Sequence, residues 1–158
     1  MSSAAVRSKP FIRETTLRDI AELAVTMREE DRMEVSFSSG GSPLDALMDG
    51  YLLSDQVATI EANGRVVAIF GVCGTKGSIG CPWMLGADGL DKCRSLLREC
   101  RTILQRYTEE YHYLTNACWS KNVVHVNWIR WLGFTFEGSD VRKGETFLHF
   151  HKERLCAT

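Results

Sequence analysis

Apolar residues recur at two periods along this chain, and the changes of period mark its elements. Ile20, Leu23, Ala24 and Met27 step by three and four with Arg and Glu residues between them, which predicts an amphipathic helix. Thr15 or Thr16 stands where a hydroxyl accepts from the free N–H groups of its first turn. Residues 11–14, FIRE, read as a short strand before it. Residues 29–42, EEDRMEVSFSSGGS, break the pattern and read as an acidic loop running into glycines. A short second helix follows, with Ser42 as its cap and Pro43 at the first position, where the missing N–H costs little.

The period then falls to two. Two β-rich runs within residues 56–74 flank Asn63-Gly64, a pair that tolerates the positive φ angles of a tight hairpin turn. The second run, residues 66–73, is nearly all apolar, as in a strand covered on both faces. Residues 78–85, SIGCPWML, predict another strand, with a bulge or an edge position near Pro82, which cannot donate to a ladder. From about Asp88 to Tyr107 the helical period returns: Leu90, Cys93, Leu97, Cys100, Leu104 and Tyr107 share one face, with Lys92, Arg94, Arg98, Arg101 and Arg106 on others. Residues 113–119 predict a strand and residues 122–131 a helix opened by Asn122. FTFEG and TFLHFHK form a last hairpin around SDVRKG. The order β, α, α, β, β, β, α, β, α, β, β predicts one mixed sheet with helices packed on its faces.

Composition narrows this picture. A chain of 158 residues fits one domain, expected over residues 11–158 behind a loose tail of residues 1–10. A net charge of −1 supplies no field that would recruit nucleic acid or an anionic membrane. Six cysteines without a C-x-x-C pair, several inside apolar periodic segments, point to free thiols in a reducing compartment. The start MSSAAVRSKPF has no long apolar core, so no secretory signal is expected, and no window is long and apolar enough for a membrane span.

The element order, with an Asn-opened helix leading into Leu132-Gly133-Phe134, resembles the GNAT superfamily of acetyl-CoA-dependent N-acetyltransferases. That resemblance implies a three-layer α/β/α fold of the α+β class, with a mixed, mainly antiparallel sheet. A narrower likeness rests on Tyr111, Leu114, Asn116, Asn122, His125-Val126 and the 132–134 exit, together with the acidic loop and the Ser-Pro helix start. These are similar to the internal virion protein A family of short-tailed bacteriophages. The likeness implies a structural or interaction role in the virion, in ejection or in the infected cell, with other virion proteins or a host protein as partners and the virion and host cytoplasm as location.

Set against the GNAT pattern, the candidate chemistry divides. Trp83, Met84 and Leu85 match the strand end whose backbone binds the pantetheine arm, opposite residues 115–118. Gly86, Ala87, Gly89 and Lys92 stand where a diphosphate would be held on helix N–H groups. The leading Arg or Gln of that loop is missing, however, and Asp88 and Asp91 bring carboxylates there; Asp88 is expected to cap the helix itself. The position of the usual proton-donating Tyr holds Ile129, which cannot donate. Asn122 falls on the family Asn and His125 is a candidate base near neutral pH. Glu34, beside Glu30 and Asp31, either edges an amine acceptor or belongs to a solvated acidic loop. Trp128 and Trp131 read as core, and the Arg94, Arg98, Arg101 row as a solvated face. His149 and His151 share a strand face without a third ligand, so no metal is expected. Three functions follow: a GNAT-like virion module with a degenerate acetyl-CoA site, an acetyltransferase acting on an amine, or a binder of nucleic acid or a host factor through the Arg94, Arg98, Arg101 row.

Overall fold

The computed structural model describes residues 8–154, so most of the predicted tail, and Cys156, lie outside the described residues. Seven strands form one sheet in the order β1 (Phe11–Glu14), β2 (Ser54–Ala62), β3 (Arg65–Gly74), β4 (Ile79–Gly86), β5 (Tyr113–Trp119), β7 (Glu145–Glu153) and β6 (Thr135–Arg142). All pairings are antiparallel except β4 with β5. Helices α1 (Leu17–Thr26) and α3 (Pro43–Leu53) pack Ile20, Leu23 and Leu47 on one face of the sheet against Ile69. On the other face α4 (Leu97–Glu110) and α5 (Val123–Trp131) bury Leu104, Val126, Trp128 and Ile129 against Phe70, Val72 and Phe150. This is the expected three-layer α/β/α arrangement. No helix of the described residues is long and apolar enough to cross a membrane.

Local chemistry explains most element ends. Thr16 and Ser42 each accept from the backbone N–H three residues on, while Asp19 and Asp45 bond back to the cap N–H, giving two capping boxes. Asn63 and Gly64 have φ of 53° and 73°, as their hairpin turn requires. Lys143 and Gly144 make an equivalent turn between β6 and β7, so β6 runs four residues past the predicted FTFEG, absorbing a register shift between Phe136 and Ser139.

Two sequence expectations are corrected, and a third that left two alternatives is resolved. Residues predicted as an acidic loop form a helix, α2 (Glu29–Ser38). Glu29, Glu30 and Asp31 favour its positive N-terminal end, but its buried positions are Asp31, Glu34 and Val35, so apolar periodicity does not show it. The helix predicted from Asp88 begins at Leu97, after two 3-10 turns, Leu90–Lys92 and Arg94–Leu96. Its buried residues start Leu90, Cys93, Leu96, a period of three that suits a 3-10 turn, with Leu96 in place of the predicted Leu97. Of the two alternatives expected at Pro82, the structure takes the edge position: Pro82 sits in a continuous β3–β4 register with no bulge, on a stretch of β4 that has no strand paired on its other side. Ala87 donates to Val67 O at 2.7 Å, which makes 67/87, 69/85, 71/83 and 73/81 the hydrogen-bonded pairs. The backbone of Pro82, Met84 and Gly86 therefore points away from β3. The side of Pro82 that lacks an N–H faces β5.

That side is open, because β4 and β5 pair only at Ile79–Tyr113 and Gly80–Leu114 before diverging. The last contact depends on Gly80, where a Cβ would lie 2.8 Å from Leu114 Cδ2 and from the Tyr111 ring. Both neighbours are buried and cannot move away cheaply. Gly80→Ala is therefore expected to destabilise the domain by about 2 kcal/mol through overpacking, read as a lower urea midpoint with an unchanged denaturant slope.

Candidate functional site

Where β4 and β5 part, the sheet exposes backbone groups that must find partners away from water. Side chains supply them. Asn116 Nδ2 donates to Pro82 O at 2.8 Å, bridging the strands just past their last pairing. At the far end of β4, Asp31 Oδ2 accepts from Gly86 N–H at 2.7 Å, and Arg28 N–H donates to Gly86 O at 2.9 Å. The junction of α1 and α2 is thus bonded to the free edge of β4. By the same strand alternation, Met84 directs its N–H and C=O into the gap between these two ties.

The gap is filled from the other side by α5. Asn122, its N-cap residue, is fully buried, and its side chain joins the two helices. Asn122 Nδ2 donates to Asp31 Oδ1 and to Glu34 Oε2, each at 2.7 Å, while its Oδ1 accepts from Arg28 Nη2. One turn on, His125 Nδ1 lies 3.4 Å from the Glu34 carboxylate. Five residues from two helices make one buried network across the opening. Arg28 Nε is its single orphan: Asp31 Oδ1 at 3.6 Å and Glu30 Oε2 at 3.5 Å are too far for good hydrogen bonds.

The electrostatics follow from burial and pairing. Burial alone would raise the Glu34 carboxyl, but His125, Asn122 and the Trp119 backbone N–H outweigh it, and Glu34 is held below the ordinary carboxylate range. Burial would lower His125; Glu34 and then Asp31 outweigh both that and Arg28, so the imidazole is held above its ordinary value. Asp31 goes the other way from Glu34, because burial raises it more than His125 and Arg28 pull it down. With Arg28 and His125 facing Asp31 and Glu34, two basic groups stand against two acidic ones, and the cluster is close to neutral in formal charge.

This neutrality bears on metals. Asp31, Glu34 and His125 offer one ligand atom each within 4.8 Å of one another. The Asn122 amide N–H groups already occupy the carboxylate lone pairs that face inward, and the Arg28 cation stands beside them. A divalent ion would have to displace both. The structure also separates the two strand histidines: His149 Nε2 bonds Asp140 at 2.8 Å, and His151 stacks on Tyr113.

Beyond His125, on the α4–α5 face, lies an apolar cleft of about 70 Å³ lined by Pro82, Met84, Leu104, Trp128, Ile129 and Phe150. It is small beside the roughly 300–1,000 Å³ of ordinary ligand clefts. Trp128, 1 % exposed, lines it and keeps its indole N–H without a partner. A buried unpaired donor is costly and invites an acceptor.

The sequence-predicted residues fall into three groups. Asn122, His125 and Glu34 meet in the gap, with Met84 and Gly86 on its β4 side. Trp83 and Leu85 belong to the other face, Trp83 donating to Ser54 Oγ at 2.9 Å and Leu85 packing with the α1–α3 cluster. Ala87, Gly89 and Lys92 do not join the network: Ala87 N–H is bonded to Val67, Gly89 opens the first 3-10 turn, and Lys92 is exposed. Asp88 is exposed and caps nothing, contrary to expectation; the carboxylate on the strand end belongs to Asp31. Nor is the acidic segment a solvated loop. Glu29 and Glu30 are exposed, while Asp31 and Glu34 are buried. Arg28 was missed as a site residue, and Asp31, named only as a neighbour of Glu34 at a possible acceptor edge, proves to be the residue that ties α2 to β4; the available signal was the D-x-x-E spacing that puts Asp31 and Glu34 on one helical face.

No protein-family model matches the chain, and no curated protein sequence matches it. Solved structures do match its fold. The ribosomal L7/L12 alpha-N-protein acetyltransferase RimL, in complex with coenzyme A, superposes with a TM-score of 0.65 at 9 % identity, over 92 % of this chain and 94 % of that one. A GNAT-family acetyltransferase from Streptococcus pneumoniae gives 0.61 at 19 % identity, over 92 % and 99 %. AAC(6')-Ib, in complex with ribostamycin and coenzyme A, gives 0.65 at 11 % identity, over 93 % and 94 %. At these identities the likeness establishes the fold: this chain has the GNAT fold.

The Glu34–His125 contact carries a pH signature. His125, raised above its ordinary 6.5, contributes stability that is complete below about pH 6.5 and lost as pH climbs through the raised value. Glu34, lowered from 4.5, contributes stability that is complete above about pH 4.5 and lost as pH falls through the lowered value. The contact therefore counts fully near pH 5.5. Glu34→Gln is expected to cost about 3 kcal/mol there, by leaving a buried charge without its partner, and progressively less as pH climbs through the raised His125 value. Equilibrium denaturation as a function of pH measures the difference.

Proposed function

We propose that this chain is an N-acyltransferase that moves an acyl group from a pantetheine thioester, acetyl-CoA in the simplest case, to an amine. The observation that supports this most is the Glu34–His125 pair at the divergence of β4 and β5. Glu34 holds Nδ1, which leaves Nε2 of the imidazole for the cleft that His125 lines. In its neutral form the imidazole keeps a proton on Nδ1 toward the carboxylate and a lone pair on Nε2. That is the tautomer a general base needs. The carboxylate also stabilises the imidazolium formed when Nε2 takes the proton of an attacking amine; as the new C–N bond replaces the C–S bond of a thioester, the same imidazolium would return that proton to the thiolate that leaves.

The residues fit one half of the cofactor. The unpaired Trp128 N–H, the N–H and C=O that Met84 turns away from β3 where β4 has no further partner strand, and the apolar wall suit an arm that carries amides on a hydrocarbon chain. The diphosphate half has no cradle: Gly86 N–H is taken by Asp31, and exposed Asp88 and Asp91 stand in the following loop. Bound acetyl-CoA would supply the acyl thioester. The chain's own residues hold the arm, orient His125 and accept the proton. Admitting the arm requires α5 to move from β4, because the cleft is too small for it as it stands.

The filled gap favours a second reading, in which the GNAT fold serves as a non-catalytic module. The phage resemblance then suggests partners among virion proteins or in the host, in the virion or host cytoplasm.

Calorimetry with acetyl-CoA separates the two. The acyltransferase reading expects a Kd near 100 μM, about −5.5 kcal/mol. Asp31→Ser frees the Gly86 N–H, and a donor returned to a charged acceptor is worth about 1.5 kcal/mol, so binding should tighten about tenfold. Acetyl transfer to a panel of amines should fall at least a hundredfold in His125→Ala, with binding retained. The acid limb of the rate–pH profile should lie above pH 6.5 and move down in Glu34→Gln. No binding at millimolar acetyl-CoA by either wild type or Asp31→Ser would leave the non-catalytic reading, which detection of the chain in purified particles would then support.

A further inference from the structure

The face of β4 turned away from the cleft carries a second reactive arrangement. Cys73 on β3 and Cys81 on β4 are register partners, directly opposite one another in the antiparallel ladder. They belong to its hydrogen-bonded pairs, in which Cα atoms lie about 5.5 Å apart, inside the 4.4–6.8 Å range that disulfides span. Directly opposite residues project to the same face, and both cysteines are half-buried there, with Ser54 Oγ 3.1 Å from Cys73 Sγ.

The remaining described cysteines are set apart from this pair. Cys93, Cys100 and Cys118 are buried, and burial pushes Cys100 and Cys118 up to about 12, which keeps them as inert thiols.

We propose that Cys73 and Cys81 form a dithiol modification site that closes to a cross-strand disulfide by exchange with a small-molecule disulfide such as oxidised glutathione. The Cys73 thiolate attacks one sulfur of the reagent, forming a mixed disulfide and releasing one glutathione thiolate. The Cys81 thiolate then attacks the Cys73 sulfur, forming the intrachain bond and releasing the second. Two protein thiols are oxidised, one glutathione disulfide is reduced to two thiols, and the two protons pass to the leaving groups. Opposite residues keep their Cβ atoms about 4.5–5.5 Å apart, against the 3.5–4.5 Å of a relaxed disulfide. Closure must draw the strands together, so the bond is strained and readily reduced. The site is therefore a reversible one, open in a glutathione-reduced compartment.

Trypsin separates the two sulfurs cleanly, since residues 66–76 hold only Cys73 and residues 77–92 only Cys81. The folded chain is incubated with oxidised glutathione, quenched by alkylation, digested and analysed by mass spectrometry. The expected product is the 66–76 peptide joined to the 77–92 peptide with loss of two hydrogens. It should form faster as pH rises from 7 to 9, because burial disfavours the Cys81 thiolate, and it should vanish on adding millimolar reduced glutathione. Cys73→Ser and Cys81→Ser should each abolish it. Mixed glutathione adducts without the joined peptides, no reaction at all, or joining only after urea unfolding would each overturn the proposal.

Discussion

A parallel strand pair that ends after two residues leaves a hole in the middle of a sheet, and the rest of this structure is arranged around closing it. Backbone groups at the hole would otherwise be buried without partners, at a cost of about 1–3 kcal/mol each. Asn122 is the piece that makes closure work. One carboxamide accepts from Arg28 and donates to both Asp31 and Glu34, so a single side chain ties α5 to α2 while Asp31 ties α2 to β4. Removing any one member would strand a charge or a donor in a dry environment.

Such networks are poor sources of net stability, because desolvating two carboxylates and a guanidinium offsets most of what their attraction returns. Their persistence is better explained by what they hold in place. Here they hold an imidazole beside an apolar cleft with one nitrogen committed to a carboxylate and the other uncommitted. The groups that seal the sheet are thus the groups that could do proton chemistry. The same economy creates a conflict: the carboxylate bonded to Gly86 occupies a donor that an anionic ligand would want. Closure and binding compete for one N–H.

Strand β4 shows how two-residue alternation lets one element serve several ends. Cys81, Trp83 and Leu85 bond their backbone to β3, and Trp83 and Leu85 pack with the α1–α3 layer. Pro82, Met84 and Gly86 turn theirs to the gap, while Met84 packs with the α4–α5 layer. A proline is tolerated in the sheet interior because the ladder it would have broken is missing there already. The thiol pair and the cleft share this strand on opposite faces, without sharing a residue.

Where burial means apolar burial, the sequence alone determined most of the outcome: the Asn63-Gly64 hairpin, the capped helices at Thr16 and Ser42, the all-apolar β3, the helix leading to Leu132-Gly133-Phe134, and from these one mixed sheet with helices on its faces. Only the start of α4 was displaced, by two 3-10 turns that share its apolar face. The periodic signal is local, and hydrophobic transfer rewards it wherever the residue ends up. Helix α2 escaped because its inward face is Asp31 and Glu34, which read as solvent-facing until a partner is known. Asp88 misled for the same reason, being the nearest carboxylate in sequence while Asp31 is the nearest in space. Asn122, His125 and Glu34 could be named as candidates, but not joined, since their contacts span about ninety residues of chain. A charged side chain takes its burial, its partner and its proton affinity from neighbours that only the folded chain brings together, and that is why the fold was written in the pattern and the site was decided by the tertiary structure.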